Sequence, residues 1–346
     1  YFYTGANTRP VLYPDESGIP GLLVIAGSNK QQIFYLKRVN PISERKPVFR
    51  NMGKVHIYGI DESRMNFHSK ICLFENNKRN DLLLATGNYL AVLKFTTWNE
   101  GKPQFQFVNW IKDHNVPASG YLYNDIIKDA TGKRYIIDFA GNHWKLIPVE
   151  RNENGIILHY TDSLKIMDQN GIFRVEGETD PQFSPEWGYH RMARWDFDGT
   201  GKNHLIVGTD KGHLYLLREV SSPSGKGGFN FVSAGPLKDT TGLVIRIHSR
   251  AVAGSIDLNG DEREDLIVGG ISYQLGIKSD PVPGGGLYYL LNLGNDKSGW
   301  PRLAPPRLVD MDRGFRPRIH SHIGLQIQVI DHDNEKEVII SRQEPY

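Results

Sequence analysis

An acidic loop around position 260 carries the side chains that calcium prefers. Its sequence is Asp257-Leu258-Asn259-Gly260-Asp261-Glu262-Arg263-Glu264-Asp265, with side-chain oxygens at the first, third, fifth and ninth positions and a glycine at the fourth. Calcium takes six to eight hard oxygen ligands, and alternate residues on a tight glycine turn can point at one ion. We therefore expect Asp257, Asn259, Asp261 and Asp265 to bind a structural calcium ion.

A second loop has a similar but weaker pattern. Asp196, Asp198 and Thr200 repeat the first three ligand positions, but His204 stands where the first loop has its last acidic residue. A third and weaker set begins at Asp331. An ordinary Asx-Gly turn favours the same residues without any metal. The sequence therefore allows either a calcium ion that ties the loop together or a metal-free turn.

Both loops belong to a unit that recurs along the chain. Each unit reads as a strand, an acidic loop, an apolar strand that ends in glycine, a tight turn and an alternating strand, which is a β-sheet pattern. Weaker copies begin near residues 15, 75, 128 and 331. In the copies that start at Asp15, Glu75, Asp196 and Asp257, the acidic residue precedes the closing glycine by twelve positions.

Six copies in 346 residues correspond to about 58 residues each, the size of a propeller blade plus a long connection. We therefore predict an all-β fold, a β-propeller of four-stranded blades that spans residues 1–346 as a single domain. Six blades are visible in the sequence, with a seventh if a degenerate copy lies within residues 155–188. Two β-sandwiches are less favoured, because the long period runs across the whole chain.

Composition excludes several classes of function. The chain is 39% hydrophobic and 23% charged, with a net charge of +2, so no strong field attracts nucleic acid. Its longest apolar run, residues 21–26, is far shorter than a membrane span. The single cysteine excludes an internal disulfide and a cysteine-based zinc site. The start at Tyr1 and the calcium-type loops lead us to expect a secreted or periplasmic monomer.

The repeat also sets a register for the rest of the chain. The innermost strand of a blade runs along the propeller axis, and its start faces the mouth of the central channel. Basic and aromatic residues precede or open these strands: Arg9, His68, Tyr121, Tyr123, Tyr189, His190, Arg191, His248, Arg250, His320 and His322. Turns between the second and third strands open on the same face and add Asn88, Tyr89, Asn142, His143, Lys211 and Tyr273.

These residue types together suggest that the rim binds an acidic oligosaccharide or polysaccharide. Arginine offers a bidentate fork to a carboxylate, and histidine and tyrosine can transfer protons near neutral pH. Trp187 can stack on a sugar face. It lies in an insertion, residues 171–188, whose acidic residues include Glu178, Asp180 and Glu186. A pair of such carboxylates would serve a glycosidase.

The repeats resemble FG-GAP (VCBS-type) repeats over essentially the whole chain, and the chain looks similar to the propeller ulvan lyases and rhamnose–glucuronate lyases. That resemblance implies β-elimination beside a uronic acid, with an arginine on the carboxylate and a histidine or tyrosine as base. By residue type and register, it implies catalytic roles for His68, Tyr121, Tyr123, His143, His190, Arg191 and Arg250. It implies substrate binding by Arg9, Asn88, Tyr89, Trp187, Tyr189, His248, His320 and His322.

The sequence departs from the lyase pattern at one point. The turn after His68 offers Asn88 and Tyr89 rather than a second histidine. The related propeller α-L-rhamnosidases, which are glycoside hydrolases, therefore remain an alternative. A carbohydrate-binding propeller without catalysis is a further alternative, although its sugar pockets would be expected to repeat, and here the rim differs from blade to blade. A scaffold that binds another protein also remains open.

Overall fold

The computed structural model describes most of the chain. The described residues are 10–26, 32–41, 48–65, 70–74, 81–86, 89–112, 122–140, 143–152, 155–179, 190–220, 228–271, 286–309, 327–331 and 336–340. Two single-turn 3₁₀ helices, Glu62–Arg64 and Tyr160–Asp162, interrupt an otherwise all-β chain. Among these residues, no helix has the length and apolar character needed to cross a membrane.

Five sheets of four antiparallel strands form the blades, and in each the strands follow the chain from the innermost outwards. The first blade consists of β1 (Val11–Pro14), β2 (Pro20–Ala26), β3 (Gln32–Arg38) and β4 (Phe49–Lys54). The second consists of β6 (Lys70–Phe74), β7 (Asp81–Thr86), β8 (Tyr89–Asn99) and β9 (Lys102–Lys112), with β5 (Ile57–Tyr58) added parallel to β9.

The remaining blades repeat this order. The third has β10 (Leu122–Lys128), β11 (Arg134–Ala140), β12 (His143–Asn152) and β13 (Gly155–Leu158), and β14 (Leu164–Lys165) pairs with β12. The hairpin of β15 (Met167–Asp168) and β16 (Gly171–Ile172) follows. The fourth blade has β17 (Arg191–Arg194), β18 (Leu205–Gly208), β19 (Leu214–Glu219) and β20 (Phe231–Pro236). The fifth has β21 (Ser249–Ile256), β22 (Asp265–Ile271), β23 (Gly286–Leu290) and β26 (Arg307–Leu308), with a hairpin of β24 (Asn292–Asn295) and β25 (Pro301–Leu303).

The innermost strands are neighbours in chain order, which makes the five sheets the blades of a β-propeller. β1 contacts β6, β6 contacts β10, β10 contacts β17, and β17 contacts β21. The hydrophobic core lies between successive blades: one buried cluster joins the first and second, another the third and fourth, and another the fourth and fifth. The predicted all-β propeller with four-stranded blades is therefore confirmed.

The predicted number of blades is wrong. The described part of the chain has five four-stranded blades, not six or seven. Among the described residues, the sixth copy of the repeat has one hairpin, β27 (Ile327–Asp331) with β28 (Lys336–Ile340), and its first strand lies beside β21. In the described part of residues 155–188, the short strands finish the third blade and form the β15–β16 hairpin rather than a further blade.

The fourth and fifth blades contact each other through their backbones. The turn between β18 and β19, residues 209–213, lies against the start of β21, where the Ile247 N–H donates to the Gly212 carbonyl at 2.8 Å. Gly212 has a left-handed φ of +90°, and a Cβ atom there would lie 1.7 Å from the His248 carbonyl oxygen. Only glycine can therefore occupy this contact between the blades.

We predict that Gly212→Ala destabilises the fold far more than Gly18→Ala does. Both glycines have positive φ, so either alanine adds the strain of a left-handed residue, about 1 kcal/mol. A Cβ atom at Gly18 would have no heavy atom within 4 Å, whereas one at Gly212 would meet the backbone of the next blade. Urea unfolding should show that the free energy of unfolding falls by more than about 3 kcal/mol in Gly212→Ala but not in Gly18→Ala. Equal losses in the two variants would contradict this close contact.

Candidate functional site

Most of the predicted rim residues cannot be placed. Ten lie outside the described residues: Arg9, His68, Asn88, Tyr121, Asn142, Trp187, Tyr189, Tyr273, His320 and His322. Tyr89, Tyr123 and His143 belong to β8, β10 and β12, but their side chains are also outside the described part. His190, Arg191, His248 and Arg250 are described, and their positions can be compared with the prediction.

These four residues lie at the junction of the fourth and fifth blades. His190 and Arg191 are at the start of β17, and His248 and Arg250 are at the start of β21. The turn at residues 209–213 lies between the two strand starts. The Arg250 N–H donates to the carbonyl of Asp210 at 2.8 Å, so the turn of one blade is bound to the innermost strand of the next.

Asp210 connects the histidine of one blade to the arginine of the other. Its backbone N–H donates to His190 Nδ1 at 3.2 Å, and its Oδ1 accepts from Arg250 Nε at 3.3 Å. The Arg250 and Asp210 side chains are only 5% and 1% exposed. Removing one partner of such a buried pair leaves an uncompensated charge, which typically costs about 3–5 kcal/mol. Asp210 therefore positions both predicted site residues.

His190 is a neutral hydrogen-bond acceptor. Burial lowers its pKa from 6.5 to about 4, against the opposing effect of the nearby Asp210 and Glu178 carboxylates, while Arg191 lowers it further. Because Nδ1 accepts the Asp210 N–H, the proton of the neutral ring is on Nε2. In this tautomer the Nδ1 lone pair is occupied, so His190 would have to release the Asp210 N–H before it could take a proton.

Glu178 and His213 form a second connected pair beside the same turn, on the side of the fourth blade where Tyr215 packs against the core shared with the third blade. His213 Nδ1 lies 2.9 Å and 3.0 Å from the two carboxylate oxygens of Glu178. Thr209 Oγ1 and the Tyr215 hydroxyl donate to the same carboxylate at 2.8 Å and 3.2 Å. Burial raises the pKa of Glu178, but the hydrogen bonds from His213 and Thr209 outweigh it and the net pKa is lowered. Glu178 therefore remains ionised at neutral pH.

His248 lies on the fifth-blade side of the junction in a strained backbone conformation. Its φ is +30° and that of Arg250 is +54°, values that residues other than glycine rarely adopt. His248 Nε2 lies 3.1 Å from the Tyr288 hydroxyl. Strained residues are kept only where the surrounding structure holds them, which is common at functional sites.

The sequence pattern does not reveal several members of this cluster. It marks Glu178 only as one acidic residue of an insertion, and it does not single out Thr209, Asp210, His213 or Tyr215. The available signal is the turn Thr209-Asp210-Lys211-Gly212-His213, which occupies the register that placed Lys211 at the rim. Pairing Glu178 with His213 needs the path of the insertion, which the repeat pattern does not specify.

The acidic loops lie at the opposite end of the strands, between β17 and β18 and between β21 and β22. Among the described residues, no three acidic, histidine or cysteine side chains are grouped so that they could hold a metal ion. Nitrogen donors also contact the predicted ligand oxygens: Arg263 pairs with Asp261, and His204 Nε2 lies 3.2 Å from Asp198 Oδ1. Side-chain nitrogens therefore stand where the calcium pattern calls for oxygen ligands. Calcium has no part in the function proposed below.

Comparisons with known proteins add little to this geometry. No protein-family model matches the chain, and no curated protein matches its sequence. One similar solved structure is the β-xylosidase RS223, with a TM-score of 0.41 and 11% identity over 87% of this chain and 96% of that one. Another, assigned as an exo-β-1,3-galactanase from Bifidobacterium bifidum s17, has a TM-score of 0.36 and 11% identity over 89% and 97%. At these scores the likeness carries no argument about activity.

We predict that His190 makes the protein less stable in mild acid. The unfolded chain binds a proton at His190 below pH 6.5, whereas the folded chain does so only near pH 4, so stability falls as the pH drops through this window. The full difference corresponds to about 3 kcal/mol. His190→Asn keeps an acceptor for the Asp210 N–H but does not titrate.

Urea unfolding of both proteins at pH 7 and pH 4.5 tests this effect. Other groups titrate equally in the two proteins. Between pH 7 and pH 4.5, the free energy of unfolding should therefore fall by about 2–3 kcal/mol more in the wild type than in the variant. The same loss in both would show that His190 does not carry the acid sensitivity.

Proposed function

We propose that the chain is a carbohydrate-active enzyme of the glycoside hydrolase type, acting beside the 209–213 turn of its fourth blade. The observation that carries this proposal is the Glu178–His213 pair. A buried carboxylate holds one ring nitrogen of a histidine whose side chain is 26% exposed. A carboxylate that orients a partly exposed imidazole is the arrangement of a general base that can reach a ligand.

The tautomer of His213 decides what the pair can do. Because ionised Glu178 accepts the hydrogen of Nδ1, the neutral ring has its lone pair on Nε2. A carboxylate in this position fixes the orientation of the imidazole and stabilises the cation that forms when the ring takes a proton. His213 Nε2 is therefore suited to remove a proton from a water molecule or from a substrate.

Other groups hold this pair in place. The His213 N–H donates to Thr209 Oγ1 at 3.0 Å, and Thr209 Oγ1 in turn donates to Glu178. The Lys211 N–H donates to the Glu178 carbonyl at 3.2 Å. The carboxylate and the imidazole are thus fixed by the same turn, which limits the reorganisation needed during a reaction.

Partly exposed polar groups nearby can bind sugar hydroxyls. His248 and Tyr288 lie on the fifth blade, and Lys211 belongs to the turn beside His213. Arg246 is exposed, and its Nε donates to the Lys211 carbonyl at 3.1 Å. Imidazole, phenol and ammonium groups can each form hydrogen bonds with the hydroxyl groups of a carbohydrate.

Hydrolysis is favoured over β-elimination because the two arginines that the lyase resemblance implied are enclosed, and the exposed Arg246 is bonded to the Lys211 carbonyl. Elimination beside a uronic acid needs a cation that faces the substrate carboxylate. Arg191 and Arg250, which the lyase resemblance implied for this role, are both buried, and Arg250 is paired with Asp210. Hydrolysis requires a base and an acid at the glycosidic bond rather than a neutralised carboxylate. An acidic substrate stays a prediction from the sequence.

The reaction type can be tested with a panel of neutral and uronate-containing polysaccharides. New reducing ends without ultraviolet absorbance would indicate hydrolysis, as we expect. Absorbance from an unsaturated uronate would indicate elimination and overturn the proposed reaction, and Arg246→Gln would then show whether the exposed arginine supplies the cation. Binding to a glycan without cleavage would replace the enzyme by a carbohydrate-binding protein.

We predict that His213→Asn lowers kcat at least about 100-fold, the usual contribution of a general base. The asparagine amide can still donate a hydrogen bond to Glu178, so the melting temperature should change little. It has no nitrogen that can take a proton, so the base is lost. His159 provides a matched control, because it forms a similar pair with Glu150, at 3.2 Å, on the third blade. His159→Asn should keep full activity. Unchanged turnover in His213→Asn would remove the base from the mechanism.

A further inference from the structure

The backbone of the 257–265 loop satisfies much of the acceptor capacity of its own carboxylates. The Asp257 carboxylate accepts three backbone N–H groups, from Gly260 at 2.8 Å, Asp261 at 3.2 Å and Glu262 at 3.1 Å. The two Asp265 oxygens accept the N–H groups of Leu258 and Asn292 at 2.9 Å and 2.7 Å. The loop is therefore closed by hydrogen bonds from the chain itself.

Arg263 supplies the positive charge inside this loop. Its guanidinium pairs with Asp261 Oδ2, and its Nε donates to the Asn292 carbonyl at 3.1 Å. The Asn259 amide also donates to Asp261 Oδ2, at 2.9 Å. A metal ion at Asp261 would therefore have to displace the guanidinium and turn the Asn259 amide.

The loop of the fourth blade uses a histidine in a comparable way. His204 occupies the ninth position of its loop, as Asp265 does in the other. The Glu219 N–H donates to His204 Nδ1 at 2.9 Å, so Nε2 carries a hydrogen and donates it to Asp198 Oδ1 at 3.2 Å. A donor therefore stands where the calcium pattern requires an oxygen ligand.

Direct hydrogen bonds already tie the two loops together. The Trp195 indole N–H donates to the Glu264 carbonyl at 2.9 Å, and the Asp196 N–H donates to the Glu264 carboxylate at 2.9 Å. The Asn292 amide donates to the Phe197 carbonyl at 2.8 Å. These contacts join the lower ends of the fourth and fifth blades, the structural task that a bound ion would perform.

We infer that the two acidic loops are metal-independent, with Arg263 and His204 acting as built-in partners of the loop carboxylates. The composition of a calcium loop is retained, but an internal cation in one loop and an internal N–H donor in the other take the place of the ion. This inference is independent of the proposed enzymatic activity, because it concerns the opposite end of the blades and is tested by stability and binding alone.

The full-length protein can be tested by thermal unfolding and by calorimetric titration with calcium chloride. We expect the wild type to melt at the same temperature, within about 1 °C, in excess chelator and in millimolar calcium. We also expect no saturable heat of calcium binding. A calcium-dependent rise of several degrees, or stoichiometric binding, would overturn the inference.

Arg263→Gln tests the role of the arginine, with Arg302→Gln as the control. Arg302 is an exposed arginine of β25, so both variants lose one positive charge from the same blade. Arg263→Gln should melt about 1–3 °C lower than the control in chelator, since it loses a partly exposed ion pair and a hydrogen bond. Equal melting temperatures would show that Arg263 does not serve as the internal cation.

Discussion

The turn at residues 209–213 fixes how the fourth and fifth blades meet, and the candidate site depends on that contact. Its carbonyl groups accept the N–H groups of Ile247, Arg250 and Ala251 from the next blade. These are backbone bonds, so the turn cannot shift without leaving buried polar groups unpaired. The same few residues then supply Asp210 to His190 and Arg250, and Thr209 and His213 to Glu178. Blade packing and site geometry are thus set by one segment.

The repeat predicts the hairpins of the blades better than the number of blades. Asp15 and Asp129 each close a turn in which one carboxylate oxygen accepts the backbone N–H groups two and four residues later. An Asx turn and a calcium loop use the same residue types and differ in where the carboxylates point. The repeat marks the first three strands of a blade, and among the described residues the copy at β27 and β28 has only the first two. Counting the marked hairpins as blades therefore gave too high a number.

The register of the repeat placed His190, Arg191, His248 and Arg250 at strand starts on one face, and these residues do lie there. Their chemical roles are a separate matter, because residue type alone does not reveal burial. The predicted anion-binding arginines are enclosed, whereas His213, which the pattern did not single out, is partly exposed and oriented by a carboxylate. A partner such as Glu178, 35 residues away in the chain, cannot be assigned to His213 from spacing. Burial and pairing had to come from the fold.

The strained segment at residues 248–250 explains how the junction keeps its shape. A left-handed residue other than glycine costs about 1 kcal/mol or more, so His248 and Arg250 need compensating contacts. Arg250 has two from one residue, since its N–H donates to the Asp210 carbonyl and its guanidinium pairs with the Asp210 carboxylate. His248 contacts the Tyr288 hydroxyl. Because relaxing the backbone would break these contacts, the strain and the pairing together hold the start of the fifth blade's innermost strand in a single arrangement.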